Sequence, residues 1–196
     1  MQMVSPIRDE KKISQIKNQL KWSWKIRDLL LFELGINSAL RISDLLKVKV
    51  KYLFDEYWNS NDYFEIKEHK TDKKARITIT PKVKETLKQY KVFYPLILEN
   101  SEHFIFFHQK VFPLWTKWIE RGIARRMIDE RCSSVGLKWN YGGHTLRKTR
   151  GYQARQAWVP IELIQHKLNH SNIAVTKRYL WITDDELEEI CNKLDL

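Results

Sequence analysis

The sequence predicts a mostly helical α+β fold with a small antiparallel sheet near residues 48–80. Apolar residues recur at helical spacing along most of the chain, whereas three short segments in that range alternate between apolar and polar residues. With 196 residues, of which 43% are hydrophobic, the chain is long enough to bury one core. We therefore expect one domain over residues 1–182, followed by an acidic helical tail over residues 183–196.

Helices precede the predicted sheet. Residues 9–21 carry apolar side chains three and four positions apart, and a second helix is predicted from about residue 24 to residue 34, ended by Gly35. The segment GINSALRISDLL that follows is typical of a tight turn into another short helix.

Strands are predicted at residues 48–53, 63–67 and 75–80, with the basic segment HKTDKK as the hairpin turn between the last two. Pro81 is predicted to open a helix that reaches about residue 90, because proline is favoured in the first turn of helices. Further helices are predicted at residues 113–135, 144–157, 161–168, 173–181 and 184–194.

The charge of the chain is strongly and unevenly positive. Lysine and arginine number 35 against 24 acids, a net charge of +11, yet residues 182–196 hold six acids against Lys193 alone. Their net charge of −5 leaves +16 for residues 1–181. Such a basic body favours a polyanionic partner, above all nucleic acid, although charge alone is equally compatible with a merely soluble protein.

Several other classes of protein find no support. No apolar run approaches the length that spans a bilayer, and the N-terminus has no apolar signal core, so we expect a cytoplasmic protein with no membrane partner. Cys132 and Cys191 lack metal-ligand spacing, which argues against a disulfide framework or a zinc site. Nucleotide-binding glycine motifs and an acidic two-metal cluster are also missing, so no cofactor or metal is expected.

The segment HTLRKTR carries a candidate phosphate clamp. His144 and Arg147 are three residues apart and therefore share one face of a helix, where they could donate to both non-bridging oxygens of a phosphate. In isolation, such a pair is more often found on a solvated helix face.

Two further segments offer cations. Arg41 precedes Asp44 by three residues, so the carboxylate could orient the guanidinium as a second phosphate clamp, or the two could form an ordinary surface ion pair. In the hairpin turn, Lys70 could protonate a leaving oxygen, although Lys73 and Lys74 compete for that role and loop lysines are usually solvated.

The segment LNHSNIAVTKRYL carries a candidate nucleophile. Tyr179 lies nine residues after His170, and nearby cations could activate its phenol. A tyrosine at this spacing is otherwise a half-buried aromatic of an amphipathic helix. Arg178 and Lys148 are candidate contacts to the DNA backbone, as are Lys73 and Lys74.

In this order the motifs resemble those of the tyrosine recombinase family. LGINSALRISDLLKVKV resembles its first box, EHKTDKKARITIT its hairpin lysine segment, GGHTLRKT its second box and LIQHKLNHSNIAVTKRYL its terminal box. The resemblance covers roughly residues 5–190 and implies the catalytic domain of that family.

The resemblance also implies roles for six residues. Tyr179 would attack the scissile phosphate, Arg41 and Arg147 would neutralise the transition state, and Lys70 would protonate the 5′ oxygen. His144 would be the base or a proton shuttle and His170 a hydrogen-bond donor, with no ATP or metal required. Double-stranded DNA would be the partner, with a tetramer in the synapse and accessory DNA-bending proteins.

The chain departs from the commonest pattern of the family in a few places. Asn169 stands where glycine is usual, Asp44 where glutamate is more frequent, and Lys148 where histidine is common. About 20 residues precede the first helix turns, so we expect either a small stand-alone type without the usual N-terminal core-binding domain or a natural truncation. The acidic tail has an apolar stripe and is expected to dock on a neighbouring subunit or on its own domain.

Overall fold

Two helices form the N-terminal part of the computed structural model, which describes residues 4–180 apart from the side chain of Arg178. Helix α1 (Glu10–Trp22) begins where the Asp9 carboxylate accepts a hydrogen bond from the Lys11 backbone N–H at 2.7 Å. Helix α2 (Ile26–Ser38) is almost wholly buried, because the core surrounds it. The predicted tail and its docking lie outside the described residues.

The predicted end of the second helix at Gly35 is wrong. Gly35 lies inside α2, and a Cβ atom there would come within 2.5 Å of the buried Leu146 side chain. The glycine therefore permits a close approach between helices, and α2 ends instead at Ala39, whose φ of 58° breaks the helix.

The predicted strand at residues 48–53 is also wrong. Helix α3 (Ile42–Leu45) is followed by a single helical turn, α4 (Val50–Leu53), and only Lys49 forms a bridge, with Phe104. Val50 and Leu53 are both buried, since three residues separate side chains on one face of a helix. A six-residue segment is too short for its apolar pattern to distinguish the period of a helix from that of a strand.

The sheet consists of one hairpin, in agreement with the other two predicted strands. Strand β1 (Tyr63–Lys67) pairs antiparallel with β2 (Lys74–Thr78), with Tyr63 opposite Thr78 and Lys67 opposite Lys74. The turn at residues 68–73 joins them, as predicted.

Helix α5 (Pro81–Phe93) begins at the predicted proline, and a 3₁₀ helix (Pro95–Glu99) follows. Helix α6 (Arg121–Ser134) starts later than predicted. The residues before it pair with a neighbouring extended segment instead: the Phe104 N–H donates to the Trp115 carbonyl at 2.9 Å and the Ile119 N–H to the Phe106 carbonyl at 2.8 Å.

The C-terminal helices match the predictions closely. They are α7 (Thr145–Gln156), α8 (Ile161–Lys167) and α9 (Ile173–Leu180). Helix α9 packs on α7 where Gly151 leaves space, since a Cβ there would lie 2.7 Å from Leu180. The mostly helical α+β class is therefore confirmed. Within residues 4–180, every helix is too short or too polar to cross a bilayer.

The close approach of α2 and α7 predicts the effect of Gly35→Ala. The added methyl group would overlap Leu146, so the variant should lose about 1–3 kcal/mol of unfolding free energy in urea denaturation. Gly122→Ala is the control, because nothing lies within 4 Å of its Cβ position and alanine should stabilise that helix by about 0.4–1 kcal/mol. Equal stability of the two variants would contradict this packing.

Candidate active site

Arg41 and Arg147 converge on a single carboxylate. Arg41 is the residue immediately before α3, and Arg147 lies in the first turn of α7. The Arg41 Nη1 donates to Oε2 of Glu68 at 2.7 Å, and the Arg147 Nη1 lies 3.3 Å from Oε1 of the same residue. The two predicted phosphate clamps are therefore neighbours, although 106 residues separate them in the chain.

The Arg147 guanidinium is held rigidly. Its side chain is 2% exposed, and its Nη1 also donates to the Ala39 carbonyl at 2.7 Å. Its Nη2 donates to the Leu168 carbonyl. Because both carbonyls belong to helix ends, packing of α2 and α8 against α7 fixes the direction in which this cation points.

The predicted pairing of Asp44 with Arg41 is not what the structure contains. Asp44 is buried, and its Oδ1 accepts from the His69 backbone N–H at 3.2 Å, so it ties α3 to the hairpin. Arg41 pairs with Glu68 instead. Glu68 was missed by the sequence analysis, because one acid in a basic turn has no distinguishing pattern.

A cavity of about 560 Å³ opens beside the two arginines. Lys70 lines it, as do Arg41 and His144, whereas Lys73 and Lys74 lie on the exposed hairpin outside its lining. The lining residues that were not singled out from the sequence include Lys47, Trp118 and Arg121. The Lys47 Nζ lies 5.4 Å from the centre of the Trp118 ring, a cation–π contact.

Tyr179 and His170 lie against the same cluster. Their rings meet edge to face with centroids 5.1 Å apart, and the His170 Nδ1 is 3.0 Å from the buried Thr176 hydroxyl. Lys148, predicted to contact DNA, is instead buried, with its Nζ 5.2 Å from the centre of the Tyr179 ring. The role of Arg178 stays a prediction, since its side chain lies outside the described part of the chain.

The Tyr179 hydroxyl is buried, although the resemblance implies that it attacks a phosphate. Among the described residues it has no hydrogen-bond partner of accepted geometry. Burial raises the pKa of this phenol to about 12, although the nearby charge of Arg147 opposes the rise. The phenol is therefore protonated at neutral pH, and in this arrangement it does not face the cavity.

The pKa of both candidate histidines is lowered. Burial, followed by the charges of Arg147 and Arg41, lowers the pKa of His170 to about 4. The pKa of His144, at the mouth of the cavity, is also lowered, first by partial shielding from water and then by the neighbouring cations. His170 is therefore neutral at pH 7 in this arrangement.

The structure explains why asparagine can stand at position 169, where glycine is usual in the family. Asn169 has a left-handed φ of 52°, a conformation that glycine adopts freely and asparagine tolerates. Its Nδ2 donates to Glu68 at 2.9 Å, a contact that glycine could not make.

Comparisons with known proteins agree with the motifs. A model of the phage integrase family matches residues 8–186. The chain is 38% identical over 185 residues to the probable integrase/recombinase YoeC of Bacillus subtilis (strain 168), covering 94% of this chain and 93% of that protein. It is 29% identical over 183 residues to a tyrosine recombinase of Pseudothermotoga lettingae, covering 92% of this chain but 59% of that protein.

Solved structures show the same fold. The XerA recombinase superposes with a TM-score of 0.73 at 17% identity, covering 97% of this chain and 66% of that one. XerH bound to a palindromic difH substrate, in a post-cleavage complex, also gives 0.73 at 19% identity, covering 98% and 54%. These matches confirm the resemblance to a tyrosine recombinase catalytic domain, and this chain spans only part of the two solved chains.

The environment of His170 predicts its titration in the protein without DNA. Its ring resonances should titrate near pH 4 in NMR spectra, with His170→Gln used for assignment. An unfolded histidine titrates near pH ~6.5, so the unfolded state binds more protons between these values. Stability should therefore fall as the pH falls from about 6.5 to about 4, and less steeply in His170→Gln. Titration of the native ring at pH ~6.5 or above would contradict the burial described here.

Proposed function

The chain belongs to the phage integrase family, and on this premise we propose that it is a site-specific tyrosine recombinase. It cleaves and rejoins DNA strands through a covalent 3′-phosphotyrosyl link at Tyr179. The convergence of the two arginines, His170 and Tyr179 beside a cavity lined by cations is the observation that carries the proposal.

The proposed chemistry is a transesterification that conserves bond energy. The Tyr179 oxygen attacks phosphorus, its proton passes to His144, and the bond between phosphorus and the 5′ oxygen breaks as Lys70 protonates that oxygen. Arg41 and Arg147 stabilise the charge on the non-bridging oxygens, and His170 donates a hydrogen bond to one of them. A 5′-hydroxyl from a partner strand then attacks and releases the tyrosine.

The buried phenol requires a rearrangement before cleavage. Its hydroxyl must leave its position beside Arg147 and reach the phosphate. A bound phosphate would supply part of the driving force, since the anion competes for the arginine and favours a charged His170. Cleavage thus depends on a conformational step that binding alone does not require.

We place the DNA strand along the cavity that Lys47, Lys70 and Arg121 line. A net charge of +16 over residues 1–181 supplies the sequence-independent attraction. XerH and lambda integrase have been solved with their DNA substrates, and one lambda integrase structure is a tetramer on a Holliday junction. By analogy, this chain would act as a tetramer on the recombination sites of a phage or other mobile element, with DNA-bending proteins as accessories.

One observation favours a second function. The Tyr179 hydroxyl is buried, and a DNA-binding regulator without cleavage activity would not need it to be accessible. A type IB topoisomerase-like enzyme would share the covalent chemistry but would relax DNA without exchanging strands between partners. The regulator would form no covalent adduct, and the topoisomerase would form the adduct but no recombinant DNA.

Trapping on a nicked duplex tests the proposed chemistry. On DNA from the junction of the encoding element, the wild type should accumulate a covalent adduct that resists SDS, because the leaving strand diffuses away. Tyr179→Phe should bind equally well and form no adduct; the hydroxyl has no hydrogen bond to lose among the described residues.

The matched control is Tyr152→Phe, on α7, where the ring contacts Arg8. It should form the adduct normally. Tight binding without any wild-type adduct would identify the regulator, and relaxation of supercoiled DNA lacking the junction would identify the topoisomerase.

The salt dependence of the DNA-binding constant K tests the proposed position of the DNA strand. Each lost phosphate contact should reduce the slope of log K against log salt by about 0.9, so Lys47→Ala with Arg121→Ala should reduce it by about 2. The double variant Lys82→Ala and Lys88→Ala, on the exposed face of α5, removes the same charge and serves as control. Equal slopes for the two double variants would place the DNA elsewhere.

A further inference from the structure

Glu68 accepts hydrogen bonds from four side chains, one in its own turn and three in other segments of the chain. Its Oε2 accepts from Arg41 Nη1 at 2.7 Å, from the Thr71 hydroxyl at 2.9 Å and from Asn169 Nδ2 at 2.9 Å. Its Oε1 accepts from Arg147 Nη1 at 3.3 Å. The side chain is 2% exposed, so the carboxylate lies inside the protein at the end of β1.

We propose that Glu68 is the positioning residue of the phosphate site, holding both arginines and the hairpin lysine in one arrangement. This inference rests on the proposed function. Glu68 acts through its partners and does not touch the DNA, because it is buried and does not line the cavity where the strand would lie.

The charge of Glu68 is what allows the two guanidinium groups to stay together. Two neighbouring cations repel each other more strongly where the protein partly shields them from water, as it does the half-buried Arg41 and the buried Arg147. A carboxylate between them offsets that repulsion and directs one Nη1 from each arginine inward. Burial alone would raise the pKa of Glu68, but hydrogen bonds from Thr71 and Arg41 and the charges of both arginines lower it, so the group is ionised.

The same contacts locate Lys70. Glu68 is two residues before this lysine, and the intervening His69 is tied through its backbone N–H to Asp44. The base of the hairpin is thus fixed to α3 on one side and to the arginine pair on the other. A displaced Glu68 would move the proposed acid together with the two clamps.

Glutamine cannot replace this carboxylate. All four partners of Glu68 are donors, and a glutamine side chain would place its own N–H donors against some of them. Glu68→Gln therefore keeps the volume of the side chain but removes its charge and disrupts the hydrogen bonds from its four partners. This makes it the discriminating variant.

The experiment measures single-turnover cleavage of the nicked duplex at saturating DNA, together with Kd from fluorescence anisotropy. Glu68→Gln should cleave about 100-fold more slowly, comparable to the loss of one donor to the transition state, while its Kd changes less than about threefold. Thr71→Val, which removes one donor and leaves the charge, should slow cleavage by a smaller factor and serves if Glu68→Gln does not fold.

A double-mutant cycle separates positioning from general damage. If Glu68 acts through Arg41, then Glu68→Gln should cost much less cleavage rate in an Arg41→Ala background than in the wild type. The control is Glu33→Gln, in α2. The Glu33 carboxylate is also buried, accepts a hydrogen bond from the Thr86 hydroxyl at 2.6 Å and forms an ion pair with Lys17. It should lower stability without changing the rate of cleavage.

Three results would overturn the inference. The first is cleavage by Glu68→Gln at the wild-type rate, and the second is a reduction of its cleavage rate by the same factor with and without Arg41. The third is an equal reduction of the cleavage rate by Glu33→Gln at matched stability. Failure of the proposed function has a different signature, since the wild type would then form no adduct. That result would remove both proposals together.

Discussion

Two neighbouring guanidinium groups repel each other, and the arrangement of the rest of this site follows from how that repulsion is offset. The Glu68 carboxylate lies between Arg41 and Arg147 and accepts from both. Because breaking a buried ion pair leaves an uncompensated charge, each of the three depends on the other two. The loop before α3, the hairpin and α7 are therefore joined at one point, which is also where the terminal Tyr179 packs.

Much of this architecture could be predicted from the sequence, because the helices near the site have clear periods and boundaries. The order of Arg41, Lys70, His144, Arg147, His170 and Tyr179 indicated the family before any geometry was known. Glu68 could not be predicted, since its function depends on donors from three other segments that meet only in the folded chain. The partner of Asp44 could not be predicted for the same reason: a spacing of three residues says nothing about a hairpin that approaches from elsewhere.

The incorrect predictions have physical causes that the spacing of apolar residues in the sequence does not reveal. Val50 and Leu53 are buried on one helical turn, where a short alternating segment fits a strand equally well. Before α6, aromatic residues with an apparent helical stripe instead pair through their backbones with residues 104–108. Gly35, typical of a helix end, is needed inside α2 because Leu146 comes so close. In each case tertiary contact outweighs local preference.

In the proposed mechanism, the position of Tyr179 makes cleavage a separate step from DNA binding. Both arginines are already oriented, whereas the phenol is buried with its pKa raised to about 12. The measurement that tests this account most directly is a structure of the Tyr179→Phe variant on uncleaved DNA. Arg41 and Arg147 should lie within hydrogen-bond distance of the non-bridging oxygens of one phosphate, with Glu68 still between them. Arginines that contact different phosphates, or a strand that lies outside the cavity, would contradict it.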